Sequence, residues 1–188
     1  MKLYIKYMVS HRCKTLVQDE LKKLGVQSQY VMVDLGMVDI MDNITPQQRR
    51  QLKANLKKTG LEVLDNKKGN LIDKIKNVIT DMVHHTGELP ALNYSDHISK
   101  KLGYDYTYLA NIFSEVKGIT IQQYIIIQKI ERVKELLLYD TLNLTEISNK
   151  LQYSSVAHLS NQFKKVTGLT PSFYKQLKQK REGLHPKV

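Results

Sequence analysis

YLANIFSEVKGITIQQY (108–124) and HLSNQFKKVTGLTPSFY (158–174) align at a constant offset of fifty residues. Leu109 pairs with Leu159, Asn111 with Asn161, Phe113 with Phe163, Val116 with Val166 and Gly118 with Gly168, and Thr120/Thr170 and Tyr124/Tyr174 extend the match. A repeat of this length marks one structural unit used twice. Upstream the match continues with the offset reduced by one, pairing Ile98, Leu102 and Tyr104 with Ile147, Leu151 and Tyr153. Each unit reads as a short helix, a tight turn and a second helix, with Gly103 of LGYD (102–105) at the point where the turn needs a residue tolerant of positive φ. The second unit carries Gln152 there, a residue that strains a left-handed turn by about 1 kcal/mol or shifts its geometry. Between the units, IQQYIIIQKIERVKELLLY (121–139) has no breaker and predicts one connecting helix over about 120–139.

Working outward, residues 69–188 read as all helical. Leu71, Ile75, Val78, Ile79 and Met82 form the apolar stripe of a helix starting near Asn70 and ending before Gly87. The first helix-turn-helix falls at about 94–117 and the second at about 144–167. Two such units joined by a long helix suit successive major-groove segments, about 34 Å apart on one face of DNA.

From 71 to about 180 the chain resembles the DNA-binding domain of the AraC/XylS transcription regulators. QKIERVKELLLYD (128–140) resembles their connecting helix, and HLSNQFKKVTGLTPSFYK (158–175) the signature ending of their second unit. The resemblance implies a non-enzymatic, sequence-specific regulator of bacterial transcription that acts on double-stranded DNA in the cytoplasm. It places the first recognition helix at about 105–117, with Leu109, Ile112 and Phe113 packing and Tyr106, Thr107, Ala110 and Asn111 facing the groove. In the second unit Leu159 and Phe163 pack, while Ser155, Val156, Ser160 and Asn161 face out. Asparagine can pair bidentately with adenine, and Ala110 or Val156 can touch a thymine methyl. Lys150, Lys164, Lys165 and Thr170 are the expected phosphate contacts, which position the protein without reading sequence.

Residues 1–68 follow a different pattern. LYIKYMV (3–9) alternates, with Leu3, Ile5, Tyr7 and Val9 on one face, as a half-buried strand does. A helix from Cys13 through Leu16, Val17, Leu21 and Leu24 stops at Gly25. QYVMVDLGMVDIMD (29–42) predicts two strands around a turn at 34–36. TPQQ (45–48) opens a helix with Thr45 as cap, Pro46 at its first position and Gln48 closing a capping box, and LEVL (61–64) is a last short strand. The order βαββαβ predicts a ferredoxin-like α+β domain with helices on one face of an antiparallel sheet and the other face open. An all-α domain with two helix-turn-helix units then follows.

YMVSHRC (7–13), between first strand and first helix, resembles the MxCxxC loop of heavy-metal-associated copper-chaperone domains. Met8 and Cys13 match it, but Ser10 replaces the first cysteine. Cu(I) takes two soft thiolates, and a serine hydroxyl is a hard oxygen. Two readings stand: Cys13 holds copper(I) or another soft metal with Met8 or His11, or it is a small residue on the stripe of Leu16, Val17 and Leu21. No cofactor is required by either. Tyr4, Met8, Tyr30, Met32, Met37 and Met41 form a candidate face for a homodimer.

Composition sets the frame. Hydrophobic residues make up 41% of 188, enough for a core, and the net charge is +11, which suits a polyanion. The 118–188 segment holds eleven Lys and Arg against five acids, whereas 69–117 holds five against six, so the second unit should carry more of the non-specific affinity. One cysteine excludes an internal disulfide. No apolar run approaches the roughly 20 residues needed to cross a bilayer, so the expectation is no membrane partner. DNA is the expected partner, with RNA polymerase as a further candidate. No acid–base pair, Ser/His/Asp set or phosphate loop argues for an enzyme in 1–68, and His84 and His85, adjacent on a helix, face apart.

Overall fold

The computed structural model describes residues 1–27, 31–41, 44–84, 93–139 and 142–184. Tyr30, His85 and Gly87 lie outside the described residues. The chain divides into two compact units: Met1–Asn77 with Ile98–Ile121, and Val78–His97 with Gln122–Val188. The front segment and the helix expected to be the first recognition helix therefore belong to one unit.

The front segment runs β1 (Lys2–Lys6), α1 (His11–Lys23), β2 (Val31–Asp34), β3 (Met37–Ile40), α2 (Pro46–Lys58) and β4 (Glu62–Val63). The sheet order is β2-β3-β1-β4 with every neighbour antiparallel, in the registers Leu3↔Val38, Ile5↔Val63 and Val33↔Val38. Leu3, Ile5, Val38 and Ile40 meet Val17 and Leu21 of α1 and Leu52 and Leu56 of α2 in one core, which is why both helices carry apolar residues at three- and four-residue spacing. The cap of α2 falls where the sequence puts it, and the cap of α1 was not foreseen. Ser10 caps α1 by accepting from Cys13 N, and Thr45 and Gln48 close a capping box on α2.

Two expectations for this segment need correction. The strand ends at Lys6, because Tyr7 adopts φ 65, a left-handed conformation rare for a bulky residue. That turn reverses the in–out alternation: Tyr7 and Val9 are 49% and 54% exposed, while Met8 is fully buried in the core. The second concerns the sheet face expected to be open. Tyr4 is buried there, with its ring against Gly69 of α3 (Asn66–His84) and its hydroxyl donating to Asp73. Helix α3 starts before Asn70 because the Asp65 carboxylate accepts from Lys68 N at 2.8 Å.

The remaining elements are α4 (Tyr94–Leu102), α5 (Tyr106–Lys117), α6 (Ile121–Tyr139), α7 (Leu144–Lys150), α8 (Val156–Thr167) and α9 (Pro171–Leu184). The connecting helix is continuous, as the absence of a breaker predicts. In the second unit Ile130, Val133, Leu136 and Leu137 of α6 pack with Ile147, Leu151, Leu159 and Phe163. Among the described residues no helix is long and apolar enough to cross a membrane.

Candidate DNA interface

Helix α5 begins at the N-cap Asp105, whose carboxylate accepts from Tyr108 N at 3.1 Å. Leu109, Ile112, Phe113 and Val116 are buried, and this fixes which side of the helix is left over. On that side Thr107, Tyr108 and Asn111 are exposed, and Tyr106 and Ala110 are half-buried. Helix α8 repeats the plan. Ser155 caps it, Leu159 and Phe163 are buried, Asn161, Lys164 and Lys165 are exposed, and Val156 and Ser160 are half-buried. Each helix thus presents an asparagine at the same place on the outer face.

Two expected contact residues have other duties. The Ser155 hydroxyl accepts from His158 N at 3.0 Å, and Thr170 Oγ1 accepts from Phe173 N at 3.3 Å at the start of α9. Each keeps its O–H as a donor, which suits a phosphate oxygen better than a base that demands an acceptor. Lys150, Lys164 and Lys165 are exposed, and none has an acidic partner among the described residues.

Several residues of this surface escaped the sequence reading. Tyr104 and Tyr108 stack at 5.7 Å and are both exposed, giving the first unit an aromatic ledge beside Asn111. In the second unit the offset of fifty replaces Tyr108 by His158, whose Nδ1 lies 2.9 Å from Ser154 Oγ. The repeat itself was the signal for this pair.

Lys129 was also missed. It is buried inside the second unit, with Nζ donating to Leu151 O at 2.8 Å and lying 4.9 Å from the Tyr153 ring centre and 5.3 Å from that of Tyr94. Burial pushes its ammonium down to about 8, although the two ring faces favour the cation. Leu151 immediately precedes Gln152, which takes φ 51 where Gly103 takes φ 73 in the first unit. The buried lysine thus ties down the carbonyl next to the strained residue. The turns also differ by a residue: one separates Gly103 from the cap Asp105, and two separate Gln152 from the cap Ser155. That extra residue is why the repeat offset changes by one.

In the front segment, Cys13 is partly buried with Sγ 3.1 Å from Ser10 Oγ, and His11 is exposed. The hydrogen bond from Ser10 is the main cause that holds the thiol below its ordinary value, with burial acting the other way. Met8 is enclosed in the core, so of the three candidate ligands only Cys13 and His11 reach the surface. Among the described residues no three His, Cys, Asp or Glu side chains converge as a metal site would require.

Residues 98–177 match the family described as helix-turn-helix domain. A transcriptional regulator of Chromobacterium violaceum, described as an AraC-type DNA-binding-domain-containing protein, superposes with a TM-score of 0.52 at 15% identity, over 65% of this chain and all of that one. The match places a helix-turn-helix domain in the helical segment. Two relatives are similar to part of this chain in sequence. The Bacillus subtilis uncharacterized HTH-type transcriptional regulator YtdP is 30% identical over 105 residues, which is 56% of this chain and 13% of that protein. The Transposon Tn10 TetD protein of Escherichia coli is 28% identical over 104 residues, 55% of this chain and 73% of that one. The chain therefore spans about an eighth of the first relative and about three quarters of the second.

Proposed function

We propose that the chain is a non-enzymatic, sequence-specific transcription regulator that reads two successive major-groove segments, with α5 in one and α8 in the other. The repeated asparagine supports this reading. Asn111 and Asn161 stand exposed on helices whose opposite faces are buried in hydrophobic packing, and an asparagine amide can pair bidentately with adenine N6 and N7. Thr107, Ala110 and Val156 offer methyl groups for thymine, and Tyr106 and Ser160 offer hydroxyls. Lys150, Lys164, Lys165 and the capping hydroxyls of Ser155 and Thr170 hold phosphate. Such a chain works in the cytoplasm, where its DNA is, and RNA polymerase is its natural further partner.

The βαββαβ order with sheet order β2-β3-β1-β4 supports a ferredoxin-like fold for the front segment, and the position of YMVSHRC in it supports a heavy-metal-associated ancestry. With Ser10 in place of a thiolate, Cys13 gives at most a weak Cu(I) site with His11. The front segment then senses a signal or pairs two copies of the chain. Met32 and Met41, 56% and 71% exposed, favour pairing through the β2–β3 side.

Selection of bound duplexes from a random pool tests the regulator reading. A selected duplex should bind at least about a thousandfold more tightly than random DNA at matched salt. A ratio near one would make the chain an architectural DNA binder instead.

A further inference from the structure

The first recognition helix ends against the front segment. An α-helix leaves its last four carbonyls without intrahelical partners. In α5 Gly118 N closes on Ser114 O at 2.8 Å, and the next carbonyl, Glu115 O, accepts from Tyr7 N at 2.7 Å. That bond comes from the residue with φ 65, so the strained turn after β1 aims its N–H at the end of a helix more than a hundred residues away in sequence. Strained backbone of this kind persists only where the surroundings hold it. Around the bond, Lys6 Nζ lies 2.9 Å from Glu115 Oε2, and this contact raises the Lys6 ammonium above its ordinary value. Lys117 Nζ donates to Leu35 O at 3.1 Å, and burial lowers the Lys117 ammonium. The approach is close at two glycines. A methyl at Gly36 would overlap the Val116 carbonyl, and a Cβ at Gly118 would lie 2.8 Å from Val9 Cγ1.

The internal repeat supplies a contrast. Gly168, the counterpart of Gly118, has φ 80 and open space around its missing Cβ. Conformation alone therefore explains glycine at 168, whereas at 118 glycine also makes room for Val9.

We infer that the front segment is a positioning clamp for the first reading helix: the Tyr7 turn and the Asp34–Gly36 turn grip the C-terminal end of α5 and set its angle in the groove. This rests on the DNA-reading proposal and extends it, because the segment becomes part of the reading apparatus and not only a sensor attached to it. Lys14 Nζ, 3.0 Å from Asp34 Oδ1, ties α1 to the gripping turn, so a change at the start of α1 has a short path to α5.

The test uses the full chain and compares Gly36→Ala with Gly60→Ala. Both glycines have positive φ (71° and 82°), so both variants bear the same kind of backbone strain, but Gly60 has open space and only Gly36 faces α5. Lys117→Met, which removes the donor to Leu35 without backbone strain, is the second variant should Gly36→Ala misfold. The first readout is amide exchange. Tyr7 and residues 112–118 should exchange faster in Gly36→Ala and Lys117→Met than in Gly60→Ala. The second is affinity for a duplex selected by the wild-type chain and for two versions with one half scrambled, each half being assigned to its helix by Asn111→Ala and Asn161→Ala. The clamp variants should lose up to about tenfold on the half read by α5, a hydrogen bond's worth, and stay within about twofold on the other. Equal loss on both halves, or clamp variants matching Gly60→Ala, would overturn the inference. Faster exchange without any change in binding would also overturn it, leaving a contact that positions nothing. A wild-type chain that selects no duplex would remove the DNA-reading proposal itself, and the exchange readout separates that failure from absence of the clamp.

Discussion

The two helix-turn-helix units descend from one pattern and are held in two ways. In the first, glycine makes the turn at no steric cost, and the end of α5 is hydrogen-bonded to the front segment. In the second, a glutamine takes the left-handed position, a buried lysine ties the adjacent carbonyl, and the helix ends at Gly168 with open space beside its missing Cβ. Side chains at matched positions follow these settings. Val116 is fully buried while its counterpart Val166 is 41% exposed, and Glu115, paired with Lys6, stands where the second unit has the exposed Lys165. A repeat therefore conserves the packing face and the outward asparagine while the supports around them diverge. The first unit is tied at the end of its second helix, and the second leaves its lysines exposed.

The largest expected effect tests what the units share. Phe113→Ala and Phe163→Ala each remove a fully buried ring and should cost about 3–5 kcal/mol, read by chemical denaturation. A much smaller loss at one would mean that its unit is loosely packed and that the comparison is unequal from the start. Next come the outward residues. Asn111→Ala and Asn161→Ala should each cost about 1–3 kcal/mol on the selected duplex and relax the base preference at one position, read by repeating the selection. Uniform weakening with an unchanged base preference would reassign these asparagines to the phosphate backbone.

A smaller pair of changes swaps the turns. Gln152→Gly should stabilise the chain by about 1 kcal/mol, and Gly103→Gln should destabilise it by a similar amount, since only the first change relieves a left-handed side chain. If Gln152→Gly is neutral, the tie from Lys129 already offsets the strain, and the gain should reappear in Lys129→Met. The last change is a pH dependence. The Lys129 ammonium lies at about 8 in the folded chain and at its ordinary 10.5 when unfolded. Between those values the unfolded chain holds a proton that the folded chain lacks, so the site adds stability as pH rises from about 8 to about 10.5. Lys129→Met should lack that rise in thermal melts across the same range.

Local rules were readable wherever one residue decides the outcome. Thr45, Pro46 and Gln48 start α2, Gly36 turns β2 into β3, and the breaker-free stretch 121–139 is one helix. The packing faces and outward asparagines followed from the resemblance to the AraC/XylS regulators. What escaped detection depends on contacts distant in sequence. Tyr7 reads as a strand residue by alternation, and its left-handed turn is supported by Glu115, which no pattern within 1–13 could reveal. Nothing in the stretch 121–139 marks Lys129 as buried, and Tyr94, Tyr153 and the Leu151 carbonyl close around it. The sheet face expected to be open is covered at Tyr4, where Gly69 leaves room for the ring.

The most direct test of two-headed reading is a hydroxyl-radical footprint of the wild-type chain on its selected duplex, repeated with Asn161→Ala. Two protected tracts about one helical turn apart are expected, with the variant weakening the one read by α8 and sparing the other. A single tract, or equal fading of both, would contradict the account.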